Sequence, residues 1–319
     1  MRITHGFDSL NAHHAVTIGN FDGLHVGHQT MLSRLQHAAR ARNLPTCVLS
    51  FEPHPREFFT PADAPARLSS LREKAERLRQ LGIDRLHVFR FNRAFAALTA
   101  AEFIQRVLVD TLHARYVLVG DDFRYVAQRA GDFALLASSG PALGFDADAL
   151  PTVELAGERA SSTAVRNALA AGDLAHVTQL LGRPYSICGR VVQGDKLGRE
   201  LGYPTANIQF KHNRPPLSGI FAVTLSGIQG RVLPGVASLG VRPTVKKTGA
   251  APVLEVHLFD FDADIYSQRV RVDFLHKLRD EVKYPDLASL VAQIGRDVED
   301  AKHYLAKPLK SELVKTTNG

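Results

Sequence analysis

The chain has little cysteine, no long apolar run and no block of like charge. Cys47 and Cys188 are its two cysteines and lie far apart, so neither a disulfide framework nor a cysteine-built metal knuckle is expected. No apolar run approaches the roughly 18–20 residues that a membrane span requires. The opening Met1-Arg2-Ile3-Thr4-His5-Gly6 lacks the apolar core of a signal peptide. These absences point to a reducing, cytoplasmic setting and argue against a membrane partner. The chain also has no Walker-type phosphate loop and no protein-kinase signature set. Any nucleotide binding must use other devices.

The 319 residues suffice for two domains, each with its own core. A composition of 45% hydrophobic and 22% charged residues is that of a globular protein. The net charge of +7 fits a nucleic acid or a small polyanion. Basic residues are dispersed, however, and in Arg72-Glu73-Lys74-Ala75-Glu76-Arg77 both signs mix along a helix. That pattern predicts a solvated face. With no aromatic-rich basic strand and no zinc finger, nucleic acid is not the expected partner.

The first half is organised around Gly19-Asn20-Phe21-Asp22-Gly23-Leu24-His25-Val26-Gly27-His28. It follows the apolar strand Ala15–Ile18 and precedes a helix with Met31, Leu32, Leu35, Ala38 and Ala39 on one face. Two histidines therefore sit where a strand turns into a helix N-terminus. Free backbone N–H groups and the positive end of the helix dipole favour bound phosphate there. Glycines let the backbone turn tightly and approach a ligand. The arrangement resembles the HxGH signature of nucleotidyltransferases, which transfer a nucleoside monophosphate from a triphosphate.

Strand-like and helix-like segments then alternate: Pro45–Phe51, Ser69–Leu81, Arg85–Phe89, Ala100–Val109, Tyr116–Val119 and Thr152–Leu155. The alternation predicts a doubly wound α/β domain with parallel strands. Ligands bind beyond the carboxyl ends of such strands. Phe51-Glu52-Pro53-His54-Pro55 and Gly120-Asp121-Asp122-Phe123-Arg124 fall on that edge. Ordinary turn chemistry accounts for both equally well. Arg159-Ala160-Ser161-Ser162-Thr163-Ala164-Val165-Arg166 opens another helix, where one hydroxyl would suffice as a cap. Several hydroxyls between two arginines suggest a second phosphate-binding helix end.

After about residue 185 the pattern changes to short Val-, Ile- and Thr-rich runs separated by Gly and Pro. These are Tyr185–Val192, Gly219–Leu225, Val232–Ala237, Val253–Phe259 and Gln268–Leu275. They predict an antiparallel β-barrel. A terminal helix with Leu287, Leu290, Val291, Ile294 and Val298 on one face should pack on it. The expected domains are residues 1–184 and 185–307, with an unstructured tail over 308–319. The barrel opens with a glycine-rich loop holding Gly194, Lys196 and Gly198, followed by Pro204-Thr205-Ala206-Asn207. It reads either as a hairpin or as a backbone cradle in which Thr205 and Asn207 face one side. Their oxygens suit Mg²⁺ bound together with substrate phosphates.

Taken together, GNFDGLHVGH, FEPHP, GDDFR, RASSTAVR, the GDKLGRELGYPTAN loop, LEVHLFDF and FLHKLRDE resemble the bacterial bifunctional riboflavin kinase/FMN adenylyltransferases. That resemblance implies two activities. The barrel would phosphorylate riboflavin to FMN, and the α/β domain would then transfer AMP from ATP to FMN, giving FAD and pyrophosphate. It implies His25 and His28, with Gly19, Phe21 and Asp22, around the triphosphate; Ser162, Thr163 and Arg166 would grip the leaving phosphates. It implies Asp122, Phe123 and Arg124 near the flavin of the first site. In the barrel it implies Glu255 as the base, Thr205 and Asn207 for Mg²⁺ and ATP, Gly194, Lys196 and Gly198 along the phosphates, and Arg279 and Glu281 in the flavin pocket. The implied partners are ATP, riboflavin and FMN, for a monomer or weak homo-oligomer. Two departures stand out: Val126 where members commonly carry Gly, and Ser238-Leu239-Gly240 where many have Asn-Ile-Gly.

Overall fold

The computed structural model describes residues 1–125, 131–194, 197–211, 214–241 and 252–307. The expected tail, Lys196 and Val126 lie outside the described residues. The chain begins with β1 (Arg2–His5), β2 (His14–Ile18), α1 (Val26–Ala41), β3 (Thr46–Glu52), α2 (Pro55–Phe59), α3 (Leu71–Gln80), β4 (Arg85–Arg90) and α4 (Arg93–Ala96). Next come α5 (Ala100–Glu102), continued by a π-helix over Phe103–Thr111, β5 (Ala114–Gly120), β6 (Arg124–Tyr125), β7 (Gly131–Asp132), α6 (Phe133–Leu143), β8 (Asp146–Leu150), β9 (Glu154–Leu155) and β10 (Glu158–Arg159).

Six of these strands form one sheet in the order β1-β4-β3-β2-β5-β8, every pair parallel. The order turns back on itself beside β2, so the loop after β2 opens at a switch point of the sheet. β2 is buried along its whole length, as a central parallel strand covered on both faces must be. Cys47 on β3 is fully buried, and burial pushes its thiol up to about 12. It is a small core residue, not a nucleophile.

Three expectations need correction. The helix expected over Ala100–Val109 is wound as a π-helix from Phe103 to Thr111, with Thr111 Oγ1 donating to the carbonyl of Arg106 at 2.7 Å. Apolar spacing does not distinguish that wider turn from an α-turn. The strand expected over Thr152–Leu155 shrinks to β9, paired only with β10. The sheet's outer strand is instead β8, whose Asp-Ala-Asp-Ala-Leu sequence carries little strand propensity. Finally, the mixed-charge face of α3 is not fully solvated: Glu73 is 8% exposed and Lys74 6%. Glu73 turns back to close a capping box with Ser70, and Lys74 Nζ donates to Ser50 Oγ at 3.1 Å.

The second part comprises α7 (Ser162–Ala171), α8 (Leu174–Leu181), β11 (Tyr185–Val192), α9 (Leu197–Glu200), β12 (Ala206–Gln209), β13 (Gly219–Ile228), β14 (Arg231–Val241), β15 (Pro252–Leu258), β16 (Arg269–Arg279) and α10 (Leu287–Ala306). The chain divides into two compact units, Met1–Pro65 with Ser69–Ser162, and Ala66–Leu68 with Thr163–Gly319. The expected boundary at residue 184 thus falls inside the second unit, which includes α8. The six barrel strands close in the order β11-β12-β15-β14-β13-β16, all antiparallel. Closure leaves no free sheet edge. Phe221, Leu225, Leu239, Leu254, Val256, Val272 and Phe274 are buried in it. Val298 and Ala301 of α10 pack with Ala222 and Val236 of the barrel, while Leu287, expected on the buried face, is exposed.

His87 on β4 gives the first unit a pH dependence. Its Nε2 donates to the carbonyl of Gly6 at 2.8 Å, which leaves Nδ1 to accept from Thr4 Oγ1 at 2.9 Å. Burial, reinforced by His5, Arg85 and His14, pushes it down to about 4. The unfolded imidazole titrates near 6.5. Stability from this group is therefore complete above about pH 6.5 and is lost as pH falls toward 4. His87→Asn should flatten the acid slope by at most one proton, about 1.4 kcal/mol per pH unit. Urea melts across that range check this, and an unchanged slope would exclude His87 as the group.

Candidate functional site

In the first unit, the motif loop runs from the end of β2 to the start of α1. Phe21 and Leu24 adopt positive φ of 48° and 49°, and Gly23 one of 78°. Such angles in non-glycine residues mark a backbone held by its surroundings. Asp22 supplies much of that hold. It is buried, and its Oδ1 accepts from Ser69 N at 3.0 Å and Ser69 Oγ at 3.2 Å. Gly23 N donates to the same Ser69 Oγ, and Ser162 Oγ donates to the carbonyl of Asp22. The carboxylate therefore fastens the loop from behind.

His25 is the N-cap of α1, its Nδ1 accepting from His28 N at 3.4 Å. The two rings stack with centroids 3.7 Å apart. A Cβ on Gly27 would stand 3.2 Å from both the His25 ring and the carbonyl of Ala160, so glycine is what allows this packing. Burial, followed by the charges of His25 and Lys74, holds His28 well below the usual imidazole range. Its Nδ1 is shielded from solvent and has no hydrogen-bond partner among the described residues. Asn20 Oδ1 is in the same condition. Unmet polar atoms at a helix N-terminus suit an incoming ligand.

His25 and His28 line a cavity of about 280 Å³. Gly19, Phe21, His25, His28, Asp122, Phe123 and Ser162 line it, and so does Arg159. Arg159 is ion-paired with Asp122 at 2.5 Å. Asp22 and Arg124 are not among the lining residues; Arg124 pairs instead with Asp132 at 2.6 Å. Thr163 and Arg166 belong to the second unit, in which Arg166 Nε donates to the carbonyl of Ala66 at 2.6 Å.

The second unit has a larger cavity of about 490 Å³ on the outer face of the barrel. Thr205, Asn207, Glu255, Arg279, Glu281 and Gly198 all line it. The register explains how. Glu255 on β15 lies opposite Asn207 on β12 and opposite Ser238 on β14. Cross-strand partners point to the same face, so the three make a polar row. Gly194 lets the backbone pass within contact of Asn207, where a Cβ would lie 2.3 Å from the amide nitrogen. Ser238 Oγ donates to Glu281 Oε1 at 3.3 Å, and Gly240 leaves the space that the same carboxylate occupies. The departure at Ser238-Leu239-Gly240 therefore keeps a polar anchor for Glu281.

Two family comparisons decide what kind of chain carries these cavities. Residues 8–164 match the FAD synthetase family, and residues 181–305 match riboflavin kinase. The chain belongs to the bifunctional riboflavin kinase/FMN adenylyltransferase family. A protein of that name from Pseudomonas fluorescens is 48% identical over 95% of this chain and 97% of its own length. The Escherichia coli K12 protein of that name is 48% identical over 92% and 94%. A crystal structure described as a macrolide-efflux protein from Streptococcus pneumoniae superposes with a TM-score of 0.80 at 29% identity, covering 94% of this chain and 98% of that one. No helix among the described residues is long and apolar enough to cross a membrane.

Asp297 escaped sequence reasoning: it lines the barrel cavity, yet carries no local signal beyond a helix pattern. Tyr203 and His257 stand in motifs that carry the resemblance, and Ser238 in a departure from it, without assigned roles. Arg159 is one of the two arginines of the RASSTAVR stretch, and it lies on the wall of the first cavity.

Asp22 offers a test of loop fastening. Asp22→Ala should lower stability by about 1–3 kcal/mol, the usual cost of leaving buried donors unmet. Thermal denaturation reads this directly, and a melting point unchanged from the parent would deny Asp22 the fastening role.

Proposed function

We propose that the chain makes FAD in two steps, each in its own cavity, with the named side chains in distinct roles. The enzyme is a riboflavin kinase in its C-terminal part and an FMN adenylyltransferase in its N-terminal part. The observation that carries the residue assignment is the polar row Asn207–Glu255–Ser238, set by strand register on the wall of the barrel cavity.

The terminal ribityl hydroxyl of riboflavin is a weak nucleophile near neutral pH, so a base assists its attack on the γ-phosphorus of ATP. Glu255 takes that role and receives the hydroxyl proton. Thr205 and Asn207 hold the ATP phosphates and a divalent cation. Their uncharged hard oxygens, beside a carboxylate, fit Mg²⁺ that arrives with nucleotide phosphates. When bound, Mg²⁺ would neutralise phosphate charge during transfer. Gly194, Gly198 and Lys196 follow the phosphates along the loop, and Arg279 and Glu281 shape the flavin end.

In the first unit, the phosphate of FMN attacks the α-phosphorus of ATP and pyrophosphate leaves. A phosphate monoester is already anionic, so no strong base is required. Alignment and neutralisation of charge carry the step. His25 and His28 address the triphosphate from the start of α1, with Gly19 and Phe21 lining the approach. His28 is neutral in the free protein; a docked triphosphate favours its protonated form, which puts positive charge where negative charge builds. Ser162 receives the leaving phosphates, and Asp122 with Phe123 stands toward the flavin. Asp22 serves this site through the loop it fastens. The substrates are dissolved small molecules, not nucleic acid, and we read the enzyme as a cytoplasmic monomer or weak homo-oligomer.

Chromatographic time courses with riboflavin, ATP and Mg²⁺ test the division of labour. His28→Ala should slow FAD formation at least about 100-fold, the cost of losing a preorganised donor, while FMN still accumulates. Glu255→Gln should cut FMN formation by about 10²–10⁴-fold, yet leave supplied FMN convertible to FAD. Equal loss of both products in either variant would sink the assignment. Chelation with EDTA should stop FMN formation, and added Mg²⁺ should restore it.

A further inference from the structure

The terminal helix does more than cover the barrel. Asp297, on α10, is 4% exposed and lines the same cavity as Thr205, Asn207 and Glu255. Its two oxygens accept from Arg279 Nε at 2.8 Å and Nη2 at 2.5 Å. Gln293, one turn earlier on the helix, donates from Nε2 to Asp297 Oδ1 at 2.9 Å. Arg279 Nη1 donates to the carbonyl of Asp280, also at 2.9 Å. The guanidinium is thus fixed in plane and in rotation by a bidentate fork. Of its five N–H donors, three are engaged and two have no partner among the described residues, so they are spare for whatever enters the cavity.

The same pairing sets the charge of the cavity. Among the described residues that line it, Glu255, Glu281 and Asp297 are carboxylates, and Arg279 is the one guanidinium or ammonium cation. With Arg279 already paired, no uncompensated fixed cation among them faces the flavin end. Such a wall suits the uncharged ring system of a flavin.

We propose that Asp297 is a positioning residue for the kinase site, acting through Arg279. It aims the spare guanidinium N–H groups at the carbonyls of the flavin ring. This rests on reading the barrel cavity as the riboflavin kinase site. α10 is then part of that site, not a covering element.

Asp297→Asn in the full chain keeps volume and one acceptor but removes the charge. The Michaelis constant for riboflavin should rise roughly tenfold, in the range typical of lost orienting partners, with kcat changed less than about threefold. A merely structural role would instead depress kcat as well. In a double-mutant cycle, Asp297→Asn should add almost nothing to Arg279→Gln, because the two act as one unit. Should Asp297→Asn fold poorly, as judged by adenylyl transfer to supplied FMN, Gln293→Leu removes only the outer hydrogen bond. It should raise the same constant by about twofold to threefold. An unchanged riboflavin constant, or additive effects in the cycle, overturns the proposal. Full kinase activity in Glu255→Gln would instead overturn the cavity reading on which it rests.

Discussion

Cross-strand register in the barrel is the constraint on which the larger cavity depends. Side chains alternate along β15, so Leu254, Val256 and Leu258 are buried while Glu255 and His257 face the cavity. A slip of one residue against β12 or β14 would turn Glu255 into the core and expose Val256. Burial of an unpaired carboxylate and loss of apolar contact both oppose that slip. The hydrophobic pattern that closes the barrel thereby also lines up Asn207, Glu255 and Ser238. Packing energy and site geometry are one problem here, because the same alternation solves both.

The first unit uses a different device. Its cavity is made by a loop between strand and helix, where no ladder fixes the backbone. Asp22, Ser69 and Ser162 fasten that loop through hydrogen bonds to its backbone and to one another. They hold Phe21 and Leu24 in left-handed conformations that these residues would not choose alone. His25 caps α1 with its own ring, and the stacked His28 is left facing the cavity with an unmet nitrogen. The buried Lys74 adds positive charge nearby, so the positive potential at this loop does not come from the helix dipole alone.

The two cavities therefore differ in how rigidly they are set. The barrel wall is a paired sheet braced by the Arg279–Asp297 fork, in which each position is fixed by several neighbours. The loop of the first unit is fixed by a few side-chain bonds, and its mouth carries the Asp122–Arg159 ion pair at the surface. An exposed pair of that kind is worth little stability and can part when a charged ligand arrives.

Much was legible in the residues themselves. Hydrophobic period gave the parallel strands β2 to β5 and nearly every barrel strand, since apolar spacing is dictated by burial on each face. The HxGH and PTAN stretches were legible through their strand and helix context and through the motifs that accompany them, since such residues also build ordinary turns and hairpins. Period could not reveal β8, whose aspartates and alanines pair only because β5 presents an open edge. Nor could it reveal that Glu73 and Lys74 are buried, because a mixed-charge run reads as solvated until a fold covers it. The sequence by itself determined the two architectures, through hydrophobic spacing, and its motifs carried the resemblance from which the candidate residues were named. Only tertiary structure decided that Asp22 faces the loop rather than the cavity, and that Asp297 reaches Arg279 from another element. Those choices depend on groups distant along the chain, and no local pattern records them.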